Sequence, residues 1–109
     1  MPTIYKVLGQ SAPAATTVTT LYTVPAATQA VVSTIAVCNR AATAATYRIA
    51  IRPAGATLAN QHYISFDSTL AANDSTMITI GVTLAATDVI TIHASTANTS
   101  FSAFGTEIS

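Results

Sequence analysis

Few side chains in this chain of 109 residues could do chemistry. Its one cysteine, Cys38, precedes Asn39 and Arg40, and a neighbouring positive charge favours the reactive thiolate. The β-rich run around Cys38 gives the plainer reading: a small, half-buried hydrophobe at a strand end. His62 and His93 are the only imidazoles. They come with no His-Glu-x-x-His motif, no paired histidine spacing and no second cysteine, so a metal site would need scattered residues to converge. Both read as structural or surface histidines. The carboxylates are Asp67, Asp74, Asp88 and Glu107. Asp74 and Asp88 end two similar phrases, Ala71-Ala72-Asn73-Asp74 and Ala85-Ala86-Thr87-Asp88. Were those loops neighbours at one end of the fold, they would suit a calcium ion, with few oxygen ligands per loop. The plainer reading is a pair of turn-forming aspartates. Four glycines form no phosphate-cradling loop, and no Gly-x-Ser-x-Gly elbow is present. The expectation is a protein that is not an enzyme, with no cofactor and no metal.

Charge narrows the partners. Four basic and four acidic side chains cancel, and charged residues make up 7 % of the chain, against about 25 % in an ordinary soluble domain. Without a basic excess, binding to nucleic acid by counterion release has no driving force. No basic block suits a membrane surface, and no apolar run approaches the roughly 18 residues of a membrane span. Neutrality also removes the repulsion that keeps proteins dispersed, which points to a subunit of an assembly. The N-terminal Met1-Pro2-Thr3-Ile4-Tyr5-Lys6 lacks the pattern of a secretory signal, and a lone cysteine excludes an internal disulfide.

The elements that must position these residues are strands. Thr, Ile and Val are abundant, and their stiff, branched side chains suit a pleated sheet. Tyr47, Ile49 and Ile51 alternate with Thr46, Arg48, Ala50 and Arg52, a period of two with the apolar set facing a core. Further strands are expected near residues 4–8, 17–24, 31–38, 62–67, 76–80, 82–84, 89–93 and 99–104. Turns are expected at Ala26–Gln29, Ala71–Asp74 and Ala85–Asp88, and Pro53-Ala54-Gly55 ends the Tyr47–Arg52 strand. Short strands and regular turns with no helical windows between them predict an all-β fold: one antiparallel β-sandwich, jelly-roll-like, with a short N-terminal arm. Residues 1–16 are assigned to the arm and a linker beginning at Gly9, and residues 17–109 to the sandwich.

Carbohydrate binding is the alternative from another class. Flat aromatic platforms with polar neighbours usually do that work, and this chain has four Tyr, three Phe and no Trp. Strand alternation puts Tyr63 and Phe66 on opposite faces, and Phe101 and Phe104 likewise, with at least half of the aromatics expected in the core. No platform is predicted. The candidate contact residues are instead those of the arm, Ile4, Tyr5, Val7 and Leu8. A short apolar strand at a terminus either completes its own sheet or pairs with a neighbouring subunit.

Three phrases occur in order: Leu21-Tyr22-Thr23-Val24-Pro25-Ala26, the run from Val31 to Cys38-Asn39-Arg40, and Leu70-Ala71-Ala72-Asn73-Asp74, with Leu84-Ala85-Ala86-Thr87-Asp88 after them. Together, over roughly Thr20 to Ile108, they resemble small β-sandwich structural proteins of tailed bacteriophages. The resemblance implies a virion protein: a capsid decoration (cement) subunit, favoured as a homotrimer, that stabilises the particle through contacts with the major capsid protein. A tail, baseplate or fibre component is the alternative within this class. It carries over no catalytic or binding residue. On this reading, deleting residues 1–8 should weaken particle binding more than it lowers the melting temperature.

Overall fold

The computed structural model describes residues 2–109; Met1, the first residue of the expected arm, lies outside them. The strands are β1 (Thr3–Ser11), β2 (Thr19–Thr23), β3 (Gln29–Asn39), β4 (Ala45–Arg52), β5 (Tyr63–Leu70), β6 (Ser75–Leu84), β7 (Val89–Ala94) and β8 (Thr99–Ile108). Two short 3-10 turns, Pro53–Gly55 and Asn60–His62, join β4 to β5. The strands form two four-stranded sheets, β1-β8-β3-β6 and β2-β7-β4-β5.

One rule generates this order. The first half of the chain lies antiparallel to the second: β1 on β8, β2 on β7, β3 on β6, β4 on β5. That makes one long hairpin with its tip at residues 53–62. Rolling it brings β3 against β8 and β4 against β7. The result is a jelly-roll β-sandwich, the fold class expected from the sequence. Inward residues of both sheets share one core, with Val32, Ile35, Val37 and Phe101 from the β1 sheet facing Tyr47, Ile49, Ile90 and Ile92 from the β2 sheet. The Tyr47 and Phe101 rings meet edge to face, 6.3 Å between centroids. Of the seven aromatics, Tyr22, Tyr47 and Phe101 are buried, fewer than the half expected.

The N-terminal segment is the first strand of its own sandwich. Thr3–Ser11 runs unbroken along β8, so the expected linker does not begin at Gly9. Leu8 is an extra residue between the pairs Val7–Phe104 and Gly9–Ala103, and it enters the core. Gly9 follows because a Cβ there would lie 2.2 Å from the Leu21 carbonyl oxygen; only glycine lets β1 approach β2 so closely. Deleting residues 1–8 would therefore strip β8 of one of its two partners, leaving β3, and uncover core. Substitutions at outward positions of β1 separate assembly from folding better than deletion does.

The strands expected at 76–80 and 82–84 are one. Ile80 and Gly81, the latter at φ +58°, together oppose Ser33 within a bulge, and β6 continues through it. On β3 the same irregularity changes the inward set from Ala30 and Val32 to Ile35, Val37 and Asn39. The Ser33 hydroxyl donates to the Phe104 carbonyl across it.

Each of the three Ala-Ala phrases is a turn with one residue in a left-handed backbone: the second residue of Ala26–Gln29, Ala27 at φ 56°, and the third of the other two, Asn73 and Thr87 at φ 55° and 69°. In two of them the fourth residue donates its N–H back to the first, Asp74 to Ala71 and Asp88 to Ala85. Asn39, 1 % exposed, joins one such turn to its surroundings. Its amide Nδ2 lies 2.8 Å from the Thr43 carbonyl, 3.3 Å from that of Leu70 and 3.1 Å from that of Ala71. Its Oδ1 accepts from the Ala41 N–H, and its own N–H donates to the Asp74 carbonyl. Buried carbonyls left without a donor are expensive. Asn39→Ala is therefore expected to lower stability by about 3 kcal/mol, read as a reduced urea midpoint with an unchanged slope.

Candidate functional site

Alternation along β1 turns Tyr5 and Val7 to one side and Lys6 to the other. Ile4, Tyr5 and Val7 are 50 %, 81 % and 47 % exposed, whereas Leu8 is buried. Three of the four candidate contact residues are thus presented to solvent and the fourth anchors the strand. Lys6 adds a second anchor. Its Nζ lies 3.0 Å from Glu107 Oε1, while the Tyr22 hydroxyl donates to Glu107 Oε2. One carboxylate therefore ties β1, β8 and β2, and with them both sheets, at the edge that β1 borders.

Glu107 is buried, which would ordinarily raise its pKa. The Tyr22 hydroxyl, and after it Lys6, hold the carboxyl below the usual glutamate value. Burial, with the Glu107 carboxylate as acceptor, pushes the Tyr22 phenol up, so it stays protonated as the donor.

The other reactive groups do not converge. Cys38 is exposed, not half-buried, beside Ser75 and Ser100 in register. Arg40 is committed to the loop opposite, donating from Nε to Ser100 Oγ at 2.8 Å and from Nη2 to the Ala97 carbonyl at 3.3 Å. His62 is buried and accepts the Ala59 N–H at Nδ1, which closes the turn before β5. His93 is half-buried, opposite Arg48 in register. Burial, then the Arg48 charge, lowers its pKa. Asp74 and Asp88 are not neighbours. They flank opposite ends of β6, whose ten residues at a rise of about 3.4 Å put them on the order of 30 Å apart. Each carboxylate serves its own turn: Asp74 accepts the Ser75 N–H, and Asp88 the N–H groups of Ala54 and Ala85. Among the described residues no group of three His, Cys, Asp or Glu is placed to hold a metal.

A second surface lies on the outer face of the β2 sheet, where the expected alternation fails. On β5 the register passes from Tyr47–Ser68 to Ile49–Ser65 and then to Ala50–Tyr63. Phe66 and Asp67 together oppose Arg48, Ile64 has no counterpart, and Asp67 takes φ +51°. These bulges put Tyr63 and Phe66 on one side, edge to face, 4.9 Å between centroids and 83° between planes. Arg48 lies 4.1 Å over the Phe66 ring and forms a forked ion pair with Asp67, 2.6 Å from Nε to Oδ1 and 3.2 Å from Nη2 to Oδ2. The only sequence signal was composition: an aromatic pair, an arginine and an aspartate that no core pattern required.

No protein-family model, curated protein or solved structure matches this chain.

The Glu107 tie predicts a pH dependence. A carboxylate with a lowered folded pKa adds stability above its unfolded value, about pH 4, and the gain disappears as pH falls through the folded value. The melting-temperature gap between the parent and Glu107→Gln should be widest near neutral pH and close below about pH 4, as followed by circular dichroism.

Proposed function

We propose that this protein is a structural component of a tailed-bacteriophage virion, a capsid decoration subunit that associates with itself as a trimer and seats on the major capsid protein. The observation that carries the reading is β1. An edge strand offers unpaired backbone groups to another chain, and soluble monomers protect such edges with charge, proline or bulges. Here the bulge at Leu8 turns that residue into the core, and the strand before it still exposes Ile4, Tyr5 and Val7, in a chain whose eight charged side chains cancel. Lys6, the one charge among them, is drawn to Glu107.

The arrangement suits a protein that works by fit. Leu8 and the Lys6–Glu107–Tyr22 tie fix β1 before any partner arrives, so little ordering entropy opposes association. Threonine and serine elsewhere on the surface supply hydroxyls for a polar rim. A symmetric trimer repeats each modest contact, and linked contacts gain strength through effective concentration. Jelly rolls occur in viral capsid proteins as well as in lectins and cupins. That range supports the reading only alongside the phage-protein resemblance of the Leu-Tyr-Thr-Val-Pro-Ala and Leu-Ala-Ala-Asn-Asp phrases.

The combined variant Ile4→Ser, Tyr5→Ser, Val7→Ser should convert a trimer to monomer in light scattering, with the melting temperature moved by only a few degrees. A parent that stays monomeric at high concentration would overturn the proposal. So would density for the chain anywhere other than the capsid exterior in a cryo-electron-microscopy map of the virion.

A further inference from the structure

The outer face of the β2 sheet carries an open depression of about 490 Å³ lined by Asn60, Tyr63 and Phe66. That size lies within the range of small-molecule sites, about 300–1,000 Å³. Phe66 is 55 % exposed, although it belongs to a chain with few aromatics. It is also held in place: Tyr63 abuts it edge to face, and Arg48, fixed by Asp67, covers one side. The left-handed backbone at Asp67 is the local strain that aims its carboxylate at Arg48, and the unpaired Ile64 puts Tyr63 on the same face as Phe66.

We propose that this depression binds a neutral saccharide, with the C–H groups of a pyranose ring in the angle between the Tyr63 and Phe66 rings and its hydroxyls on the Asn60 amide and the Arg48–Asp67 pair. The chemistry of the site selects this class. Arg48 and Asp67 cancel each other, leaving no net charge to hold a phosphate or carboxylate ligand. The guanidinium already occupies one face of Phe66, which opposes a cationic ligand seeking an aromatic cage. A sugar needs what remains: apolar ring surface for C–H groups, and donors and acceptors for hydroxyls. The Asn60 amide supplies both. The guanidinium has five N–H donors, more than the two directed to Asp67, and the Asp67 oxygens keep free lone pairs. The Asp67 side chain is 45 % exposed, so those oxygens are reachable. The rings and the ion pair are positioned beforehand, which lessens the ordering that binding requires. This site is separate from β1, and its failure would leave the assembly reading untouched.

The test is titration of the intact, isotope-labelled protein with the methyl glycosides of glucose, galactose, mannose and N-acetylglucosamine, each to about 50 mM, enough to reveal millimolar dissociation constants. At least one glycoside should give saturable amide shifts confined to Asn60, Tyr63, Phe66, Asp67 and Arg48. Phe66→Ala should weaken that binding at least tenfold. Asp67→Asn, which tolerates the left-handed backbone, should weaken it by a similar factor, with both melting temperatures unchanged. No saturable shift with any of the four would overturn the proposal, as would binding that survives both substitutions. Shifts at these residues that follow protein concentration alone would instead assign the depression to a second copy of the chain, and would also overturn it.

Discussion

A strand sends successive side chains to opposite faces, and one unpaired residue reverses everything beyond it. The arrangement of this sandwich depends on that constraint. Leu8 is unpaired on β1, and its insertion puts a leucine into the core beyond an exposed Val7. Ser33 of β3 is unpaired against β8, and its bulge redirects the second half of that strand, so that Ile35 and Val37 face inward and Asn39 follows them. Ile64 is unpaired on β5, which puts Tyr63 on the same face as Phe66, and Phe66 and Asp67 together oppose Arg48. Both candidate surfaces, the exposed edge of β1 and the aromatic depression on the β2 sheet, exist because these bulges interrupt strict alternation.

Polar anchors then hold what the bulges position. At the edge bordered by β1, Glu107 joins Lys6 to Tyr22 and so couples the two sheets. Asn39, at the end of β3, gathers the buried Leu70 carbonyl and the part-buried carbonyls of Thr43 and Ala71 from two connecting segments. These groups are polar and buried, and their value is specificity of geometry more than gross stabilisation, because a buried polar group returns little beyond its own desolvation unless every partner is in place. The phrase Cys38-Asn39-Arg40, which resembled reactive chemistry in the sequence, is structural at its last two positions: Asn39 gathers loops and Arg40 clasps the segment at Ala97–Ser100.

Few charges, each paired at the two places, are consistent with one mode of action at both. At β1 the surface is strand-shaped and apolar, suited to another polypeptide. On the β2 sheet it is a cup of rings with an internally neutralised ion pair, suited to a small polar ring. Neither arrangement assembles a nucleophile with a base. His62 is spent on closing a turn, and Asp88 on the N–H groups of two connections.

The sequence by itself determined the all-β class, the position of nearly every strand, and the turns that separate them. Period-two patterning and left-handed-tolerant turn residues are local properties, legible without any knowledge of what the strands pair with. It also exposed the apolar character of Ile4, Tyr5, Val7 and Leu8. Tertiary structure alone decided that Leu8 is core while its three companions face water, that Asp74 and Asp88 lie at opposite ends of the sandwich, and that Tyr63 and Phe66 touch. Each of these depends on register. Register is set by hydrogen bonds to residues from about 13 to about 105 positions away and by bulges whose extra residue has no marker of its own, since Leu8, Ser33 and Ile64 are ordinary strand residues until a partner strand leaves them unpaired.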